Sequence, residues 1–265
     1  MNHSTYTHRS SFKIAYSVWK ALFLREAVTR IAASRTAAMW LLLEPVAHVG
    51  FMLFLFLAVR LTQIGGIETG VWLMVGLLAF LMFRRTATQA QNAVGSNLAL
   101  FAYRQVLPVD TVLVRACLEG FLTIIIALLI FACAGLFGLN VFPTDPLAVI
   151  EAFAGMWLMG LGFGLTVSVA QQLLPDVGKI IDLLMMPLYL ISGVILPIAS
   201  VPQPYRDMLL LNPLAHGLEA ARLGFSPYYY AVPELDMGFL WGSALVLVFF
   251  GLVLHRRFAR RLMTL

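Results

Sequence analysis

The sequence predicts an all-α polytopic membrane protein, and three observations predict it. Of its 265 residues, 61% are hydrophobic and only 12% are charged, whereas a soluble domain carries about 25% charge and about 45–50% apolar residues. The apolar residues gather in long runs. The lysines and arginines gather between those runs, the arrangement that orients a chain in a bilayer. A domain of this length already buries most of what its surface-to-volume ratio allows. The surplus apolar surface therefore has to face lipid or another apolar surface. A net charge of +5 and a pI near 9.5 would point to nucleic acid in a soluble protein. Here the positives are a matter of topology, and no nucleic-acid partner is expected.

One transmembrane domain is expected over 1–265, with a leading helix over 11–36 and a six-helix bundle over 39–254. The polar, basic first 35 residues carry no cleavable signal pattern. From Ser11 to Ile31 an apolar stripe (Phe12, Ala15, Tyr16, Trp19, Leu22, Phe23, Ala27, Ile31) recurs at spacings of three and four. Lys13, Ser17 and Lys20 stand opposite. This predicts an amphipathic helix in the membrane interface, its basic face toward anionic headgroups. A helix packed on a soluble domain is the alternative.

Six spans follow. The first runs over 39–59 and contains Glu44. The second, 71–83, is about 20 Å long at 1.5 Å per residue and falls short of the ~30 Å hydrocarbon core. It has to borrow from 84–94. The third covers 120–139 or starts as early as Thr111. The fourth is 152–170. The fifth is 183–198, interrupted by Pro187, Gly193 and Pro197, and the sixth is 237–254. The stretch 199–236 is too apolar for an ordinary loop. Its helical spacing and Pro202, Pro204 and Pro213 predict a re-entrant hairpin in the outer leaflet, with a helix on the outer surface as the alternative.

Six spans place both termini on one side. On that side lie fifteen lysines and arginines, against Arg60, Arg206 and Arg222 on the other. The positive-inside rule makes the termini cytoplasmic. Cys117 and Cys133 fall in one predicted helix, about 24 Å apart, so no disulfide framework is expected.

Enzyme motifs are missing from the sequence. It has no GxxxxGK[ST] phosphate loop, no HExxH and no GxSxG, and its five histidines are scattered. What remains is polar groups at membrane depth. Glu44, beside Pro45, costs about 2.5–3.5 kcal/mol at a helix centre on insertion scales, so it faces protein or water or sits near the inner edge. Arg84 and Arg85 either end the second span at the cytoplasm or, if the helix continues to Val94, face a polar cavity suited to an anionic passenger. Aromatics including Trp40, Trp72, Trp157, Trp241 and 228–230 fit interfacial belts. A subset of them also suits stacking against sugar rings.

A resemblance carries the reading further. Leu24-Arg25-Glu26-Ala27-Val28-Thr29-Arg30, Ser34-Arg35 and Trp40-Leu41-Leu42-Leu43-Glu44-Pro45 resemble the N-terminal block of ABC-2 type exporter permeases. Tyr103-Arg104-Gln105-Val106-Leu107-Pro108-Val109-Asp110 resembles the Y-R-Q-V-x-P-x-D segment of the capsular polysaccharide branch. Pro187-Leu188-Tyr189-Leu190-Ile191-Ser192-Gly193 and Asn212-Pro213-Leu214-Ala215-His216 are similar to blocks near the family's outer hairpin. The blocks cover nearly the whole chain in the right order. Arg84-Arg85 departs from the uncharged residues the family leads one to expect there.

The resemblance implies the membrane permease of a capsular polysaccharide ABC exporter in the bacterial inner membrane. It implies a homodimer with two separate ATP-binding subunits, which carry ATP and Mg, and no cofactor on this chain. It implies export of a lipid-linked acidic glycan and contact with a periplasmic co-polymerase or export partner. On this reading Arg25, Glu26 and Arg30 of the leading helix, with Asn97, Tyr103, Arg104 and Asp110 of the second connection, couple to the ATPase. Trp40, Glu44, Trp72, Arg84, Arg85 and Tyr189 line the conduit. The rivals are an ABC-2 exporter of another cargo (O-antigen, teichoic acid or a drug), an intramembrane glycolipid-modifying enzyme, and a proton-coupled transporter. The enzyme requires a catalytic His or carboxylate cluster, and the proton-coupled transporter requires paired titratable groups near the midplane.

Overall fold

The computed structural model describes residues 11–32, 36–58, 63–103 and 105–263. Its helices are α1 (Ser11–Ala32), α2 (Ala37–Ala58), α3 (Thr69–Gln91), α4 (Pro108–Leu136), α5 (Pro146–Leu173), α6 (Asp176–Ile191), α7 (Tyr205–Leu210), α8 (Pro213–Phe225) and α9 (Met237–Met263). A 3-10 helix, Gly95–Ala102, joins α3 to α4. A two-residue antiparallel hairpin, β1 (Gln63–Ile64) with β2 (Ile67–Glu68), precedes α3. Its turn residues Gly65 and Gly66 both have positive φ (56° and 87°), the conformation a two-residue I′ turn requires.

Three helix starts are written into the local sequence. Pro108, Pro146 and Pro213 each occupy the first turn, where a missing N–H costs nothing. Asp110 accepts from the Leu107 N–H at 3.1 Å. Asp145 accepts from Leu147 and Ala148, and Asn212 from Leu214, the usual answer to unpaired donors at a helix start.

Among the described residues five helices, α2, α3, α4, α5 and α9, are long and apolar enough to cross a membrane. Helix α6 has 16 residues, about 24 Å, and ends at the Ser192–Pro197 break. The second predicted span runs unbroken to Gln91, so Arg84 and Arg85 lie within a helix and do not end it. The third begins at Pro108 and the last continues to Met263. Both reach beyond their apolar cores because helices do not stop where hydropathy does.

Buried residues make up 83% of the span in α3, against 11% in α2 and 17% in α9. Helix α3 is therefore enclosed by protein, and the apolar flanks of α2 and α9 face outward. Helix α5 packs between α3 and α9, and its glycines make that possible. A Cβ on Gly160 would lie 2.7 Å from the Phe83 carbonyl, and one on Gly164 would overlap Ala90. On the other flank, a Cβ on Gly162 would lie 2.8 Å from the Val248 nitrogen. Small residues let membrane helices approach backbone to backbone, where lipid supplies no hydrophobic drive.

The connections sort to two ends. At one, Gln91 reaches Asp182 at 2.9 Å and Trp19 reaches Asp110 at 2.9 Å. At the other, Tyr230 donates its N–H to Gly65 and Asp145 donates to Gly224, both at 2.9 Å.

Candidate functional site

Three polar features stand out, one at each end and one between. At the α1 end, α1 is pinned by its charges. Glu26, 5% exposed, accepts from the Arg115 guanidinium of α4 at 2.9 and 3.1 Å. Asn97 of the 3-10 helix, 2% exposed, donates to Glu26 at 3.3 Å and accepts from Arg25. Trp19 donates its indole N–H to Asp110. About one turn beyond Glu26, Arg30 pairs at 2.7 Å with Glu119 of α4, which also holds Arg85 of α3 at 3.4 Å. Glu119 has no exposed surface and lies eleven residues into α4, about 17 Å along its axis. A carboxylate that deep is tolerated because two guanidinium groups compensate it.

Between the ends, α2, α3 and α6 form a groove open to the outside. Glu44, His48, Arg84 and Tyr189 are its polar lining, over a floor of Leu77, Leu78 and Phe80. The His48 ring meets the Tyr189 hydroxyl at 3.2 Å, and Tyr189 stands edge-on to Phe80 with ring centroids 5.2 Å apart. Among the described residues neither Glu44 nor Arg84 belongs to an ion pair. The groove thus offers a free cation, a free carboxylate and two hydroxyl-compatible groups beside an aromatic wall.

At the far end, Arg222 of α8 has no exposed surface. It donates to the carbonyls of Gly193 and Val194 at 2.9 and 3.0 Å and to Glu219 at 3.1 Å. Its guanidinium lies 3.6 Å from the centre of the Trp72 ring, a desolvated cation–π contact. The Tyr229 hydroxyl donates to both Glu219 oxygens at 2.9 and 3.0 Å and accepts from the Trp72 indole at 3.4 Å. Burial pushes the Tyr229 phenol up to about 12, so it keeps the proton it donates. Helix α3 passes this close because position 76 is glycine; a Cβ there would overlap the guanidinium.

A family model described as ABC-2 type transporter matches residues 17–226. The chain belongs to the ABC-2 type transporter family. It is 32% identical over 94% of its length, and 96% of theirs, to the polysialic acid transport protein KpsM of Escherichia coli. It is 28% identical to the capsule polysaccharide export inner-membrane protein BexB of Haemophilus influenzae, over 96% of both chains. It is also 28% identical to CtrC of Neisseria meningitidis, which bears the same description, over 96% of this chain and 97% of that one. The resemblance read from the RE-x-x-x-R, Y-R-Q-V and N-P-x-x-H blocks is borne out. Members of this family are transport components.

Within this ABC-2 family member the predicted residues separate into groups. Glu44, Arg84 and Tyr189 come together in the groove, joined by His48, which sequence reasoning passed over. Trp72 does not line it. Its ring is sealed under Arg222 with no exposed surface, so it presents no wall to a passing glycan here. Arg85 also turns away, toward Glu119 and the Leu41 carbonyl. Trp40 is exposed on α2, outside the groove lining. Of the residues expected to meet an ATPase, Glu26 and Asn97 are buried and engaged within the chain. They hold α1 in place and are not open contacts. Arg25, Arg30 and Asp110 are partnered internally as well. Tyr103 is 66% exposed and free to meet a partner. Arg104 lies outside the described residues. Glu119, Arg115, Glu219 and Arg222 were not singled out in sequence. Their signal was a charge inside a run of apolar or helical periodicity, the rule applied to Glu44.

Proposed function

We propose that this chain is the membrane permease of an ATP-driven exporter of a lipid-linked, acidic capsular polysaccharide, working in the bacterial inner membrane. The observation that carries the cargo class is the groove. An unpaired arginine in a membrane-crossing helix is costly and is accounted for if an anion meets it there. The capsule-export descriptions of the relatives support the same cargo. Tyr189 and His48 suit sugar hydroxyls, and Phe80 with Tyr189 suits the C–H face of a sugar ring.

In this reading two copies of the chain enclose the conduit, and two separate ATP-binding subunits carry ATP and Mg. The α1 end faces the cytoplasm with both termini, and α6 is the remaining, shortened crossing, the fifth in chain order. Its antiparallel course beside α3, from Asp182 near Gln91 to Gly193 near Arg222, supports this. Helices α7 and α8 form the re-entrant hairpin at the outer face, where a periplasmic export partner docks. On the cytoplasmic side α1, with Tyr103 and Arg104, meets the ATP-binding subunit. The buried Glu26–Arg115 and Arg30–Glu119 pairs make α1 a lever fixed to α4.

The test is co-purification with the ATP-binding subunit encoded beside it, followed by ATPase measurement with and without the host's lipid-linked acidic glycan. A stable complex whose hydrolysis responds to glycan is expected, with the response lost in Arg84→Gln and retained in Arg84→Lys. Failure to bind any ATP-binding subunit refutes the exporter. A response unchanged in Arg84→Gln removes the groove from the path.

A further inference from the structure

The two buried charge clusters share one helix. Near the cytoplasmic end of α3, Arg85 pairs with Glu119, which also holds Arg30 of α1. Near its outer end, Trp72 and Gly76 carry the Arg222 guanidinium. Trp72 and Arg85 are thirteen residues apart, about 20 Å of helix. No proline interrupts that stretch, so the usual source of a kink is missing.

The outer cluster exceeds what a local ion pair needs. Glu219 and Arg222 sit three residues apart on α8 and satisfy each other there. Two further bonds, from Nη1 and Nη2 of Arg222, go to carbonyls of the broken chain after α6, and its face goes to α3. Asn212, at the start of α8, adds a bond to Ser192 at 2.8 Å. One guanidinium therefore holds three elements in a single relative placement. A buried ion pair adds little stability over apolar packing of the same volume. What it supplies is a discrete arrangement that is either made or broken. The Arg222 Nε is buried without a partner, so the closed arrangement is not fully satisfied and opening to water gains a bond.

We propose that Arg222, Glu219 and Tyr229 form a latch on the outer mouth of the permease, and that α3 is the rod joining this latch to the charge clamp on α1. When the ATP-binding subunits displace α1, the Arg30–Glu119–Arg85 clamp moves the inner end of α3. The outer end then slides beneath Arg222, and the α7–α8 hairpin parts from the end of α6. Arg222 and Arg85 are positioning residues in this scheme and need not touch the glycan. The inference rests on the exporter reading.

The experiment places a single reporter thiol behind the latch. Ala215 has no exposed surface and packs with Ile198 and Val232, so Ala215→Cys in a chain with Cys117 and Cys133 replaced by Ala labels only when the hairpin opens. The complex with its ATP-binding subunit is reconstituted in nanodiscs. Labelling by a membrane-impermeant maleimide is timed without nucleotide and with ATP plus vanadate. The parent should show at least a roughly fivefold change in labelling rate, the lower end of ordinary coupling between sites.

Arg85→Gln, some 20 Å away, should bring that ratio close to one, and Arg85→Lys, which keeps the cation beside Glu119, should restore it. Tyr229→Phe, a milder change than loss of Arg222, should raise labelling without nucleotide and flatten the ratio. Combining it with Arg85→Gln should add nothing further, the mark of one pathway. A complex that hydrolyses ATP with no nucleotide-dependent labelling overturns the latch. So does a ratio untouched by Arg85→Gln, or independent, multiplying effects of the two variants. A chain that forms no complex overturns the exporter reading instead.

Discussion

Replacing Glu119 by leucine should be the most damaging single change at the α1 end. The carboxylate is fully buried and serves two cations, Arg30 at 2.7 Å and Arg85 at 3.4 Å. Leucine fills similar space but leaves both guanidinium groups without a counter-charge. Breaking a buried pair by removing one partner costs about 3–5 kcal/mol. The Arg85 side chain is only 12% exposed, whereas Arg30 is 25% exposed, so most of the loss belongs to Arg85. At about 2–4 °C per kcal/mol for a chain of comparable size, the apparent melting temperature should fall by about 6–20 °C. Arg30→Gln should cost much less, about 1 kcal/mol, because Glu119 keeps Arg85 and Arg30 reaches water. Fluorescence-detected size exclusion after heating gives the order: parent, Arg30→Gln, Arg85→Gln, Glu119→Leu. Limited trypsin digestion should cut α1 at Lys20 and Arg25 soonest in Glu119→Leu. A Glu119→Leu chain that melts with the parent, or one more stable than Arg30→Gln, would refute the claim that this carboxylate holds α1 and α3 together.

Three further outcomes are expected. Gly164→Leu should prevent α5 from seating on α3, since even a Cβ overlaps Ala90; overpacking costs about 1–3 kcal/mol or more, read as loss of monodisperse protein, whereas Gly242→Leu, at a position with nothing within 4 Å, should be tolerated. Trp19→Phe should lose the 2.9 Å bond to Asp110, about 0.5–1.5 kcal/mol, and appear as faster proteolysis of α1 with little change elsewhere. Cys117 and Cys133, both exposed on α4 and about 24 Å apart, should form no intramolecular disulfide under oxidant. Unchanged mobility of the monomer on non-reducing gels checks this, because bridged Cα atoms must approach within about 7 Å.

The membrane, five of the six expected crossings and the family were legible in the amino-acid sequence. Hydropathy is a one-dimensional property, and the runs around Met39, Val71, Gly120, Ala152 and Met237 became α2, α3, α4, α5 and α9. The starts at Pro108, Pro146 and Pro213 follow from residues within a few positions of each cap. Glu44, Arg84 and Tyr189 could be gathered as candidates because a polar group in an apolar run is visible without a partner. Gly160 and Gly164, four residues apart on the α3-facing side, with Gly162 on the α9-facing side, carry an equally local close-packing signal.

Side-chain partners emerge only from the packed fold. Arg84 and Arg85 are adjacent in sequence, yet about 100° of helical rotation separates their side chains. One reaches the groove and the other reaches Glu119. Trp72 looks like any interfacial tryptophan until Arg222, 150 residues later, is folded over its ring. Glu26 reads as a docking charge on an amphipathic helix until Arg115 and Asn97 close around it. Charge pairing depends on distances of a few ångströms between residues far apart in the chain. No local pattern encodes those distances; they exist only once α3, α4 and α8 have packed.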